Sequence, residues 1–191
     1  SLPWEPLLAQ GMVSEATYRR LSQVYELIED DKVSEALERL DQIRVPGSRR
    51  YEKALLLQTY GYLYAESERY SEAVEALQQC LELNALSRSA TQNTLFVLAQ
   101  LQVSNQQYAA ALESLEKWFS LVAAPSADAH ALAGWVNARL ERYPKAIEHL
   151  RQAISMQDQP KELWYQQLLA LYYDAERLGE AAGVLQRSVV P

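Results

Sequence analysis

Few residues in this sequence stand in a pattern typical of metal binding, nucleophilic attack or acid–base catalysis. Its two histidines, His130 and His149, fall on different predicted helices of one helical pair. Neither is flanked by a His-Glu-x-x-His, Cys-x-x-Cys or acidic-loop pattern. There is also no Gly-rich phosphate-binding loop and no Gly-x-Ser-x-Gly turn. We therefore expect no catalytic residue, no cofactor and no metal site, and both histidines are interpreted as ordinary polar residues.

The single cysteine, Cys80, lies seven residues after Ala73 on the apolar stripe of a predicted helix. One thiol can form neither an intramolecular disulfide nor a cysteine-based zinc site. A small buried side chain is required at such a position, so Cys80 is predicted to be structural.

Composition argues against two further classes of function. The 191 residues are 49% hydrophobic, and 25 acidic against 18 basic side chains give a net charge of −7. A negative chain repels a phosphate backbone, so no nucleic-acid partner is expected. No run of about 18 apolar residues occurs, so no membrane span is expected either.

The elements that would position a functional residue are indicated by a phrase that occurs five times. In each copy an apolar residue is followed after three positions by Ala, then by another apolar residue, and four positions after the Ala by Leu. Such positions share one face of a helix. Successive copies are 37, 38, 35 and 35 residues apart, counted between Ala36, Ala73, Ala111, Ala146 and Ala181. A constant phrase at a near-constant step predicts stacked copies of one unit.

Each copy is preceded by a second amphipathic segment, so each unit is predicted to be a helical hairpin. The first helices are expected at about residues 15–29, 51–66, 88–104, 127–140 and 161–175. Twelve residues before the Ala, three units carry a small residue that lets two helices approach closely: Gly61, Ala99 and Gly134. Ser87 and Ser126 are predicted to cap the helices that follow them.

The phrase aromatic-x-x-Ala on the second helix, after a small residue midway along the first, resembles the tetratricopeptide repeat family. The resemblance covers residues 15–190 and implies an all-α, right-handed superhelical solenoid of about five antiparallel helix pairs. The domain is expected to span residues 14–191, and residues 1–13 to form an extended arm or to remain from cloning. The repeats are expected at about 15–45, 50–84, 87–122, 126–157 and 160–190.

The family resemblance implies a non-catalytic scaffold that binds a peptide or helix of a partner protein in a concave groove lined by first helices. Projecting the family's inner-face pattern onto this chain selects Tyr25, Tyr62, Phe96, Gln100, Trp135, Arg139, Gln166 and Tyr173. Aromatic groups offer large contact area at low entropic cost, and amides pair with a peptide backbone. Core packing remains the alternative for each aromatic residue at helical spacing.

Three shorter phrases are similar to exported bacterial tetratricopeptide repeat proteins that accompany TonB-type systems. They are Arg69–Ala73, Leu98–Leu101 and Pro160–Trp164. This resemblance implies a periplasmic location and a partner in a cell-envelope complex, while a cytoplasmic location stays open.

Two other functions are compatible with the sequence. No polar capping helix follows the last hairpin before Pro191, so its apolar stripe could pair with a second copy in a homodimer. Alternatively, the chain is the recognition domain of a larger enzyme.

Overall fold

Residues 12–188 are described by the computed structural model, and within them the chain forms ten α-helices and no β-strand. They are α1 (Glu15–Glu29), α2 (Val33–Asp41), α3 (Arg50–Glu66), α4 (Tyr70–Glu82), α5 (Arg88–Ser104), α6 (Tyr108–Leu121), α7 (Ala127–Arg139), α8 (Tyr143–Ser155), α9 (Glu162–Asp174) and α10 (Leu178–Ser188). Odd-numbered helices are therefore the predicted first helices, and even-numbered helices carry the repeated Ala phrase. Most of the predicted N-terminal arm lies outside the described residues.

The helices group into two compact units, Ser1–Asn105 and Gln106–Pro191. The first unit contains α1 to α5 and the second contains α6 to α10. No helix within residues 12–188 is long and apolar enough to cross a bilayer.

A three-residue turn follows each first helix, and its middle residue has a left-handed backbone. These residues are Asp31 (φ 59°), Glu68 (φ 57°), Gln106 (φ 59°), Glu141 (φ 58°) and Glu176 (φ 58°). In the second turn the Arg69 N–H donates to the Tyr64 carbonyl at 2.8 Å, and the Glu68 N–H donates to the Ala65 carbonyl at 3.0 Å. This pair of bonds is a Schellman motif, which satisfies the last carbonyls of a helix and ends it.

Serine caps begin three of the first helices. The hydroxyl oxygens of Ser14, Ser87 and Ser126 each accept a hydrogen bond of 3.2 Å from the backbone N–H three residues later. The caps predicted at Ser87 and Ser126 are therefore confirmed. Each serine satisfies one of the four N–H groups that an α-helix leaves without an internal partner.

The first unit is built around the predicted apolar stripes. Leu21, Val24, Ala36, Leu40 and Leu63 are fully buried in one cluster of α1, α2 and α3. The close approach of α3 to α4 depends on the missing side chain at residue 61. A Cβ atom built on Gly61 would lie only 2.5 Å from Leu77 Cδ2. Cys80 is also fully buried, as predicted, and its Sγ contacts the Ala54 carbonyl at 3.3 Å.

A buried carboxylate joins the start of α1 to α3. Glu52 accepts hydrogen bonds from the Ser14 N–H, from the Thr17 hydroxyl at 2.9 Å and from Arg49 Nη1 at 2.8 Å. Burial raises the pKa of Glu52, but these hydrogen bonds outweigh burial and hold the pKa below its usual value. Glu52 is therefore ionised in the folded chain near neutral pH.

The second unit has a comparable core in which α8 packs against α7 and α9. Its buried residues include Ala146, Ile147, Leu150, Trp164, Leu168 and Tyr172. A Cβ atom on Gly134 would lie 3.2 Å from the Ala146 carbonyl oxygen, so Gly134 lets α7 and α8 cross closely. The small residues predicted at 61 and 134 therefore serve the same purpose in the two units.

Candidate functional site

A cleft of about 600 Å³ lies in the second unit between α7 and α9, with its floor formed by α8. Its lining residues are Gly134, Trp135, Ala138 and Arg139 of α7, Glu141 of the turn, Tyr143 and Leu150 of α8, and Gln167, Ala170, Leu171 and Asp174 of α9. The cleft is thus bounded by two first helices of neighbouring pairs. The sequence analysis predicted partner binding on a surface of this type, lined by first helices.

One rim of the cleft holds an arginine against two aromatic rings. The Arg139 guanidinium carbon lies 5.1 Å from the centre of the Tyr108 ring and 5.7 Å from that of the Trp135 ring. The two rings themselves meet edge to face, with centroids 5.6 Å apart and planes at 69°. Cation–π attraction to both rings restricts the Arg139 side chain. Within the described residues Arg139 has no hydrogen bond or ion pair, so its N–H groups are available to a ligand.

The rest of the rim carries acidic and amide groups. Glu141 and Asp174 are exposed carboxylates, and Gln167 is a half-buried amide between them and the apolar floor. The cleft therefore offers one cation, two anions and an amide around an apolar centre. Such a combination suits a peptide, which presents backbone amides and charged side chains together.

In the second unit the structure brings two of the four predicted groove residues into this cleft. Trp135 and Arg139 line it, whereas Gln166 and Tyr173 do not, although Tyr173 is 53% exposed. The residues of α9 that face the cleft are Gln167, Ala170, Leu171 and Asp174. These have the spacing i, i+3, i+4 and i+7, and this spacing was the signal that could have located them.

In the first unit the predicted groove residues differ in accessibility. Tyr62 is 49% exposed on α3, and Gln100 is exposed on α5. Tyr25 and Phe96 are half-buried. Burial raises the pKa of Tyr25, which also has a side-chain hydrogen bond with Thr59. Tyr62 and Gln100 are therefore the more accessible of the four, and Tyr25 also contributes to packing.

The two histidines lie in direct contact, which the sequence analysis did not foresee. Nδ1 of His130 on α7 is 3.1 Å from Nδ1 of His149 on α8. The Phe119 ring of α6 lies beside both, with centroid distances of 5.0 Å and 5.3 Å. Burial lowers the pKa of each histidine, and His130 lowers that of His149 further. The sequence signal that could have predicted this contact is the position of each histidine. Each lies about one helical turn from the point where Gly134 of α7 crosses Ala146 of α8.

Comparison with known proteins identifies the repeat. The tetratricopeptide repeat family model matches residues 54–85 and 127–160. None of the curated proteins matches this chain in sequence.

Solved structures of low sequence identity have the same fold. MamA 41-end from Desulfovibrio magneticus RS-1 is 21% identical, with a TM-score of 0.72 over 92% of this chain and 94% of that chain. Another MamA crystal structure is 19% identical, with a TM-score of 0.76 over 93% of this chain and 92% of that chain. YrrB, described as a tetratricopeptide repeat protein with an unusual peptide-binding site, is 17% identical, with a TM-score of 0.71 over 89% and 83%. The predicted all-α fold is therefore confirmed, and residues 54–85 and 127–160 match the tetratricopeptide repeat model.

Proposed function

We propose that this chain is a non-catalytic scaffold that binds a peptide or helical segment of a partner protein in the cleft between α7 and α9. The observation that carries this proposal is the arrangement of Arg139, which two rings hold at the rim while its N–H groups stay available. A side chain held in this way loses little conformational entropy when it binds. The repeat itself supports the proposal, because tetratricopeptide repeats are protein-interaction modules.

The cleft would make both apolar and polar contacts with the partner peptide. Trp135 and Tyr143 supply aromatic area, and Gln167 supplies an amide that can pair with a peptide backbone. Arg139 would bind a carbonyl or carboxylate of the partner, and Glu141 and Asp174 would favour a basic group nearby. Several such contacts of modest strength would together set specificity.

We propose in addition that the partner belongs to a bacterial cell-envelope complex and that the chain acts in the periplasm. This part rests on the phrases Arg69–Ala73, Leu98–Leu101 and Pro160–Trp164, which are similar to exported proteins that accompany TonB-type systems. An envelope extract is therefore the first source in which to seek the partner.

The test is affinity capture from a native envelope extract with matched arginine variants. Arg139→Ala removes the cleft cation, and Arg142→Ala removes an exposed arginine of the same pair that does not line the cleft. We expect the partner to be captured by the unchanged chain and by Arg142→Ala but lost or weakened with Arg139→Ala. Equal capture by all three would place the binding surface elsewhere.

A second candidate function is self-association through the last helix pair. A cleft of about 810 Å³ separates α8 from α10, and the apolar residues Ile147, Ile154 and Val184 are among those that line it. Gly179 and Gly183 also line it, and a Cβ atom at either would meet no atom within 4 Å. If this cleft holds a second copy, sedimentation velocity will show a dimer that Gly183→Gln weakens. A monomer at every concentration would contradict it.

A further inference from the structure

His130 and His149 are the only histidines in the sequence, and their Nδ1 atoms face each other at 3.1 Å on two neighbouring helices. We propose that this pair chelates one divalent transition-metal ion, of which Zn²⁺ and Cu²⁺ are the best suited. Neither histidine lines the cleft between α7 and α9, so the site is distinct from the proposed peptide-binding surface.

The separation of the two nitrogens suits two bonds to one metal ion. Zinc–imidazole bonds are about 2.0–2.1 Å long, so two such nitrogens are about 2.9 Å apart at a bond angle near 90° and about 3.3 Å apart at the tetrahedral angle. The observed 3.1 Å lies between these values. The two helices therefore already hold the Nδ1 atoms at a separation that suits chelation of one ion.

The contact between the two rings shows how the pair can give up its shared proton to bind an ion. A hydrogen bond between two Nδ1 atoms needs one N–H donor and one lone pair, so in the neutral pair one Nδ1–H donates to the other Nδ1. On metal binding that proton moves through solvent to Nε2 of the same ring, and both Nδ1 lone pairs then bind the ion. The neutral pair releases no net proton in this step.

The surroundings of the pair support a two-ligand site with open positions. Phe119 packs beside both rings and limits their rotation, while each histidine keeps partial solvent exposure. Glu148 and Lys145, the charged groups that act on His149, form an ion pair of 2.9 Å with each other, so their charges largely cancel. No group of three or more His, Cys, Asp or Glu side chains within residues 12–188 is placed to hold a metal. Water would therefore complete the coordination, and imidazole ligation favours Cu²⁺ and Zn²⁺ among common divalent ions.

Titration of the full chain with ZnCl₂ tests the proposal, with calorimetry for stoichiometry and long-range ¹H–¹⁵N NMR for the ring nitrogens. Because the sequence has two histidines, every imidazole signal belongs to this pair. We expect one Zn²⁺ per chain and a shift of both Nδ1 resonances together. His130→Gln and His149→Gln should each weaken binding by more than about tenfold, since loss even of an outer-shell partner has effects of this size.

Glu148→Gln is the matched control, because it alters a neighbouring carboxylate and leaves both imidazoles in place; it should still bind one ion. Unchanged ring resonances at saturating Zn²⁺, a shift of only one ring, or binding retained in both histidine variants would overturn the proposal. If a histidine variant does not fold, the NMR experiment on the unchanged chain decides the question alone. The zinc titration is independent of the affinity-capture experiment, so the effect of Arg139→Ala on partner capture neither supports nor contradicts metal binding.

Discussion

The Thr17 hydroxyl donates a hydrogen bond of 2.9 Å to the Glu52 carboxylate, which is only 1% exposed. Glu52 also binds Ser14 and Arg49, so a single ionised group joins the first turn of α1 to α3. We expect Glu52→Gln to lower the free energy of unfolding by about 1.5–3 kcal/mol, the usual value of hydrogen bonds to a charged group. Urea denaturation measures this. Glu66→Gln, at an exposed position of the same helix, should change it by less than about 0.5 kcal/mol.

Glycine substitutions should have opposite effects at two helical positions. Gly61→Val places new atoms against Leu77 in the α3–α4 contact and should destabilise the chain by about 1–3 kcal/mol through overpacking. Gly183→Ala adds a Cβ atom in open space on α10 and should stabilise by about 0.5–1 kcal/mol through helix propensity. Thermal unfolding of both variants compares them directly, and a loss of stability in Gly183→Ala would mean that α10 packs more tightly than described.

Partner affinity should depend on Tyr108 even though Tyr108 does not line the cleft. Tyr108→Leu removes one of the two rings that hold Arg139. An exposed cation–π contact contributes about 0.5–1 kcal/mol of interaction free energy. We therefore expect the dissociation constant for the partner to rise about two- to fivefold, with little change in the circular dichroism spectrum. Tyr70→Leu alters the equivalent first residue of α4 and serves as the control. An equal effect of both changes would remove the special role assigned to Arg139.

Acidification should weaken the second unit through its histidine pair. Burial lowers the pKa of both groups in the folded chain, whereas in the unfolded chain they titrate near the usual value of about 6.5. As the pH falls, the unfolded state therefore takes up protons before the folded state does. The contribution of the neutral pair to the free energy of unfolding is fully present above about pH 6.5 and is lost as the pH drops below it. Denaturant titrations between pH 7.5 and pH 5 should show this loss. In the double variant His130→Gln/His149→Gln, the free energy of unfolding should depend much less on pH in this range. If its pH dependence is unchanged, the loss of stability is due to carboxylates and not to the histidine pair.

The ten helices of residues 12–188 could be predicted because the information for them is local. The Ala phrase sets the buried face of each second helix, and Ser87 and Ser126 mark helix starts by a bond that spans three residues. Gly61 and Gly134 were predicted as crossing points because they are small residues twelve positions before the repeated Ala. In the structure a Cβ atom would lie 2.5 Å from Leu77 at residue 61 and 3.2 Å from the Ala146 carbonyl oxygen at residue 134. Each of these features follows from spacing along a helix, which the sequence displays directly.

The candidate site was predicted less completely because it depends on rotation between helices. Adjacent residues on a helix point about 100° apart. A rotation of that size decides whether Gln166 and Tyr173 or Gln167 and Asp174 face α7. The contact between His130 and His149 also depends on how α7 and α8 cross, and no motif marks it. The spacing of residues along one helix predicts which residues share a face of that helix. Which residues of two different helices meet can be read only from the packed structure.

The positions of Cys80 and the histidines also give each compact unit its own spectroscopic or chemical reporter. Cys80 is buried in the first unit, and burial raises the pKa of its thiol to about 11, so thiol reagents can modify it only when that unit opens. Both imidazoles lie in the second unit, where their NMR signals report its state. Labelling kinetics and imidazole spectra of the same unaltered chain can therefore determine which unit unfolds first.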